Sequence, residues 1–280
     1  MQQEEPEIDA VTTRSDRSLL VFVVATFIWS WAFFIPVALS STGLAQIPSL
    51  RNAFLLTGVF GPSLSSWGLT YKRYGKKGLV RMLQRGFAVR LSPLVYLFVI
   101  LVPLTVAALG SYLTGDLTPR FEFLNLLGIT VLYFFLGGSF GEEFGWRGFA
   151  LPRLLDRFGP VSASLILGFI WGFWHLPLFN VTGTSQSVTP FWLFLIYTSA
   201  LAVQYTWVFI STRGNLFACL LFHTFTNITV EIFPLADDVP DKRIYYETGL
   251  NVLIAVCLAF VLLRNRTAKE LGSDGVGDLI

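Results

Sequence analysis

The chain has 280 residues, is 54% hydrophobic and only 14% charged, and carries 27 Phe and 8 Trp; ordinary soluble domains are roughly 25% charged. This composition excludes a soluble globular domain and describes a membrane protein, because about 20 predominantly apolar residues make one bilayer-crossing helix. The net charge of +2 gives no reason to expect nucleic acid as a partner; the bilayer itself is the expected one.

In chain order, residues 1–17 read as a polar, flexible arm. The first apolar run, 18–40, follows with no cleavable signal pattern before it, so it is expected to remain as a span. A second run, 52–71, contains Gly, Pro and Ser of the kind that suits close helix packing. The segment "KRYGKKGLVRMLQRGFAVR", 72–90, carries seven basic residues and no acid. Further runs at 92–114, 123–141, 161–180, 190–211, 215–234 and 247–263 complete the pattern, and 265–280 reads as a flexible tail. The fold expected is all-α, a polytopic transmembrane bundle of about eight helices forming one membrane domain over 18–264.

Short loops rich in Lys and Arg stay in the cytoplasm. Placing 72–90 there puts both termini inside and leaves only Arg51, Arg120, Lys242 and Arg243 of the 20 basic residues outside. The expected location is the plasma membrane, multi-pass, with cytoplasmic N- and C-termini.

Ionisable groups inside membrane helices usually face the bundle interior and serve function. Glu142 and Glu143 end the fourth run, His175 lies in the fifth, and His223, Asn227 and Glu231 lie in the seventh. His223 and Asn227 are four apart and share a helical face; so do Glu143 and Arg147, which leaves Glu142 about 100° away on the same helix. Glu143 and Arg147 are therefore expected as an ion pair holding the helix end, and Glu142 as a carboxylate in a cavity near the cytoplasmic ends of the helices. Pro177 is expected to kink the helix beside His175.

A lone His or Asn in such a helix is hydrogen-bonding glue as often as it is catalytic, and Gln204 and Glu231 read that way. Cys219 lies four before His223, yet a buried cysteine is most often inert packing. With Cys257 it gives no disulfide framework.

Three motifs in order, "EEFGWR" (Glu142, Glu143, Arg147), "WGFWH" (Trp171 to His175) and "HTFTN" (His223 to Asn227), resemble the CPBP family, also called the CAAX protease and bacteriocin-processing or ABI family. It includes the type II CAAX prenyl endopeptidases. The similarity covers about 120–235, and the basic stretch "GKKGLVRMLQRGF" is similar as well. The resemblance implies an intramembrane endopeptidase acting on a membrane-associated or lipidated peptide or protein, with Glu142, His175, His223 and Asn227 lining its site. Trp171 stands where the family usually has Phe, a change assigned to an apolar wall.

Two mechanisms fit those residues. In one, Glu142 activates water with His175, while His223 and Asn227 stabilise the oxyanion. In the other, Glu142, His175 and His223 hold one divalent metal such as zinc, although no His-Glu-x-x-His helix is present. Both stay open, with Glu142 favoured as the base. The same polar cavity would also suit a transporter or a non-catalytic immunity or partner protein.

Overall fold

The computed structural model describes residues 8–43, 48–115, 117, 119, 123–233 and 242–264. The expected tail 265–280, Arg120 and residues 1–7 of the expected arm lie outside them. Ten α-helices are described: α1 (Ile8–Ser41), α2 (Arg51–Val59), α3 (Gly61–Arg85), α4 (Pro93–Thr114), α5 (Phe123–Phe135), α6 (Ser139–Gly145), α7 (Leu151–Trp174), α8 (Phe191–Ser211), α9 (Leu216–Ile232) and α10 (Lys242–Arg264). No strand occurs among the described residues. Helix α1 begins at Ile8, so the described part of the expected arm is helical.

Five stretches are long and apolar enough to cross a membrane: Arg17–Ser41, Pro93–Thr114, Asn125–Asn180, Phe191–Ser211 and Lys242–Arg264, with Leu216–Ile232 a shorter apolar helix. The chain is a multi-pass helical bundle, as expected, but two of the expected spans are not single rods. The run at 52–71 breaks at Phe60 into α2 and α3, where Gly61 and Pro62 follow one another. The run at 123–141 breaks after Phe135 into α5 and α6.

Lipid tails are as apolar as leucine, so membrane helices associate through close backbone approach and buried hydrogen bonds. Both devices recur. Gly168 and Gly172 seat α7 on α8, where a β-carbon would come within 2.6 Å of Ser199 Cα and of Thr198 Oγ1 respectively. Ser164 donates to Thr206 across the same pair at 2.7 Å. Gln204 of α8 donates to Asn251 Oδ1 of α10 at 2.9 Å, which makes it the interhelical glue the sequence suggests. Fully buried aromatics, among them Phe22, Phe34, Phe144, Trp146, Trp174 and Phe222, fill the centre.

The bundle has two chemically different ends. At one, Arg85 donates to Gly214 O through Nε and Nη2 at 3.1 and 2.6 Å, and Asn215 donates to Ala88 O at 2.8 Å. These bonds join the basic 72–90 segment to the turn between α8 and α9. Arg153, near the start of α7, reaches Ser18 of α1 at the same end. At the other end Arg51 donates to Thr182 O at 2.7 Å, Arg243 donates to Phe233 O at 2.6 Å, and Trp192 and Tyr245 bring the starts of α8 and α10 together.

Candidate active site

The glutamates are placed by a break, not by the end of a straight helix. After α5 the chain turns at Gly138, whose φ of +106° is a conformation residues with a β-carbon rarely adopt. Helix α6 then starts at Ser139, and its Gly141 and Gly145 press against the corner between α2 and α3. A β-carbon at Gly141 would stand 2.9 Å from Val59 O, and one at Gly145 would stand 2.6 Å from Pro62. The sequence "GEEFG" is thus a small-xxx-small contact with the two glutamates between its glycines. One π turn, Trp146–Ala150, links α6 to α7; such turns often occur at functional sites.

Glu143 and Arg147 form the expected ion pair at 2.7 Å, both fully buried. The same oxygen, Glu143 Oε1, also lies 2.7 Å from His223 Nδ1, a partnership that sequence spacing within one helix could not reveal. The Arg147 guanidinium is held between two rings, 3.7 Å from the Tyr205 centroid and 4.4 Å from that of Trp171. Its cation–π contacts replace part of the hydration it has lost.

Glu142 takes a different direction, as its azimuth required. Its Oε2 accepts from the Trp171 indole Nε1–H at 2.7 Å, so Trp171 is a polar partner of the carboxylate and not only the apolar wall expected. Its Oε1 lies beside Gly138. Glu142 Oε1, His223 Nε2 and Asn227 Nδ2 stand 2.9, 3.3 and 3.4 Å from the position a β-carbon on Gly138 would occupy. The absence of that carbon leaves room where three polar atoms converge. Asn227 also donates to Gly137 O at 2.7 Å, a bond that fixes the amide's orientation, since a carbonyl only accepts.

His175 caps the C-terminus of α7. Pro177 does more than kink the helix: α7 ends at Trp174, Leu176–Asn180 winds into a 3₁₀ turn, and the Trp174 carbonyl accepts from Trp31 at 3.0 Å. His175 Nδ1 lies 2.8 Å from Trp171 O. Because that carbonyl can only accept, Nδ1 carries a proton, and in the neutral ring Nε2 then keeps its lone pair.

Glu142, Trp171, His175, His223 and Asn227 line one cavity of about 470 Å³. It runs from these residues to Thr184, Ser185, Gln186 and Arg243, at the end of the bundle away from the 72–90 segment. Helix α6 itself packs on the basic segment, with Phe140 against Phe87 and Phe144 against Gly86, so Glu142 lies between that segment and the outer part of the cavity. The break at 136–138 holds α6 at the level of Val59 and Trp171 instead of letting it run on. Glu231, at the cavity wall, accepts from Tyr133 of α5 at 2.5 Å. Cys219 is fully buried in the core and does not line the cavity.

The metal alternative can be tested on donor atoms. Glu142 Oε2, His175 Nδ1 and His223 Nδ1 are each bonded within the protein. Among the described residues, no three or more His, Cys, Asp or Glu side chains are grouped so that they could hold a metal ion. Those bonds leave Glu142 Oε1 and both Nε2 atoms open; it is the spacing of Glu142, His175 and His223 that does not group them into a cage, and no step below is routed through one.

Residues 124–229 match the family model for Rce1-like type II CAAX prenyl endopeptidases. Over 256 residues, 86% of this chain and 90% of its relative, the chain is 24% identical to CAAX prenyl protease 2 of Methanococcus maripaludis. All three motifs fall inside the matched region, over which the chain is similar to the Rce1-like type II CAAX prenyl endopeptidases.

Proposed function

We propose that the chain is an intramembrane endopeptidase that hydrolyses a peptide bond of a membrane-associated peptide or protein, without a metal. The observation that carries this reading is the convergence of Glu142 Oε1, His223 Nε2 and Asn227 Nδ2 beside Gly138, in a cavity shared with His175. Glu142 Oε1 takes a proton from the attacking water while Oε2 stays anchored by Trp171. His175, with Nδ1 committed to a carbonyl, offers its Nε2 lone pair to the second hydrogen of that water and so orients it. The water oxygen bonds to the scissile carbonyl carbon, and negative charge collects on the carbonyl oxygen.

Asn227 has two N–H groups and spends one on Gly137. The other is available to the oxyanion. His223, turned by Glu143, presents Nε2 at the same place and acts as a second donor when that nitrogen carries a proton. The proton on Glu142 then passes to the leaving amine as the C–N bond breaks, which returns the carboxylate to its starting state.

The relative named CAAX prenyl protease 2 makes a prenylated CAAX peptide the first substrate to try, beside a panel of transmembrane peptides. Purified chain in detergent should cleave at least one, and Glu142→Gln should lower the rate by at least ~10²-fold, the lower bound for a positioned general base. Cleavage by the parent chain should persist in chelator. Full activity of Glu142→Gln would end the assignment.

A further inference from the structure

The basic segment is seated on the helices that carry the site. Helix α3 kinks at Gly75, whose φ is +63°, so the stretch after it leaves the line of the residues before. Beyond the kink Gly78, Met82 and Gly86, spaced by four and so on one helical face, are buried. A β-carbon on Gly148, within the π turn, would stand 2.9 Å from Met82 Cε, and one on Gly86 would stand 2.3 Å from the Phe144 ring of α6. Phe87 meets Phe140 of α6 with ring centroids 6.0 Å apart. Ala88 O accepts at 2.8 Å from Asn215, the residue that caps the start of α9. One surface element thus rests on both helices that supply Glu142, His223 and Asn227.

Its outer face is of another kind. Lys72, Arg73, Lys76, Lys77 and Arg81 are exposed, Tyr71, Tyr74, Val80, Phe87 and Val89 are exposed among them, and 72–90 holds no acidic residue. Charge of one sign fits an anionic partner, and rings and valines between the charges fit one with an apolar layer beside its charge. An anionic lipid surface offers both, whereas a nucleic acid would leave the apolar side chains uncovered. Retention of a loop during insertion needs only its charge; it does not need an ordered helix whose opposite face is buried against α6 and the π turn. We propose that the outer face of 72–90 binds the headgroups of anionic phospholipids and that this contact keeps α6 and α9 aligned, so that turnover at Glu142 depends on anionic lipid. The dependence of turnover rests on the peptidase reading above; the lipid site does not.

The test uses the full chain in vesicles of phosphatidylcholine, with or without phosphatidylglycerol. Spin-labelled phosphatidylglycerol should associate with the protein roughly 5-fold more strongly than spin-labelled phosphatidylcholine, about the effect of one basic contact at a membrane surface. The combined variant Lys72→Gln, Lys76→Gln, Lys77→Gln, Arg81→Gln, changed only at exposed positions, should melt as the parent does and bind the two lipids alike. Equal association with the parent, or a preference that survives the four substitutions, would overturn the site. So would displacement of the labelled lipid by inorganic phosphate, which would mark a site for free anions.

In the same vesicles phosphatidylglycerol should raise the parent's kcat on an uncharged membrane-anchored peptide by a factor of that order (~5), since a ligand biases an equilibrium only by its differential affinity. The combined variant should show no such rise. Phe87→Ala, which removes the contact with Phe140, should keep the lipid preference and lose the rise in kcat. Equal kcat of the parent in both lipids, or a rise retained in either variant, would overturn the coupling. Absence of cleavage in both lipids, with the preference as expected, would count against the peptidase reading and leave the lipid site standing.

Discussion

Glu142 and Trp171, from helices α6 and α7, are joined by a 2.7 Å hydrogen bond from the indole Nε1–H to the carboxylate. The bond holds one oxygen and frees the other. Trp171→Phe keeps an aromatic ring facing Arg147 and removes the donor together with the pyrrole half of the indole. A hydrogen bond to a charged group contributes about 1.5–3 kcal/mol, so kcat should fall by roughly 10- to 100-fold with KM little changed, as separate steady-state measurements of the two constants would reveal. An unchanged kcat would remove Trp171 from the positioning of the base.

Gly138→Ala should abolish turnover more than it harms the fold. The new methyl would sit 2.9 Å from Glu142 Oε1 and force a φ that costs about 1–3 kcal/mol for a residue with a β-carbon. Expected is a loss of activity of at least ~10²-fold, in keeping with displacement of a reacting group, beside a modest drop in melting temperature in detergent. Wild-type rates would refute the idea that the space beside this glycine is the reaction site.

For Glu143 the expected outcome is instability. Removing one member of a fully buried ion pair strands the other charge and costs about 3–5 kcal/mol, so Glu143→Gln should unfold at a clearly lower temperature. Because Arg147 is its partner, the double variant Glu143→Gln with Arg147→Met should be less damaging than the two single effects added together. Additive losses would mean that the pair is not energetically coupled.

Asn227→Ala should leave substrate binding largely intact and lower kcat by about 10²–10³-fold, the usual effect of losing one oxyanion donor. Asn227→Asp, which puts an acceptor where the donor stood, should be no better. A variant that raised KM alone would place Asn227 in binding instead.

Much of this site was legible in the residues, and what escaped has a common cause. Composition alone is enough for a polytopic helical bundle, and α1, α4, α8 and α10 lie where their apolar runs are. Glu142, His175, His223 and Asn227 could be picked out because polar groups are scarce in such helices, and the Glu143–Arg147 pair because four positions make one helical turn. The second bond of Glu143, to His223, crosses 80 positions, and helical periodicity carries no information over that distance. Trp171 escaped because an indole reads as apolar until a carboxylate is found beside it. The break at Gly138 escaped because a tilted span and a broken one have the same hydropathy.

The π turn at Trp146–Ala150 makes this part of the chain intolerant of a change in length. Its wider loop accommodates one residue more than an α-helical turn between Glu143 and the start of α7. That slack is already used, so inserting one further residue at 148–150 would swing Glu142 by about 100° relative to α7, away from Trp171. Such a lengthened chain would keep every motif residue and still lack a site, because here the count of residues between motifs matters as much as their identity.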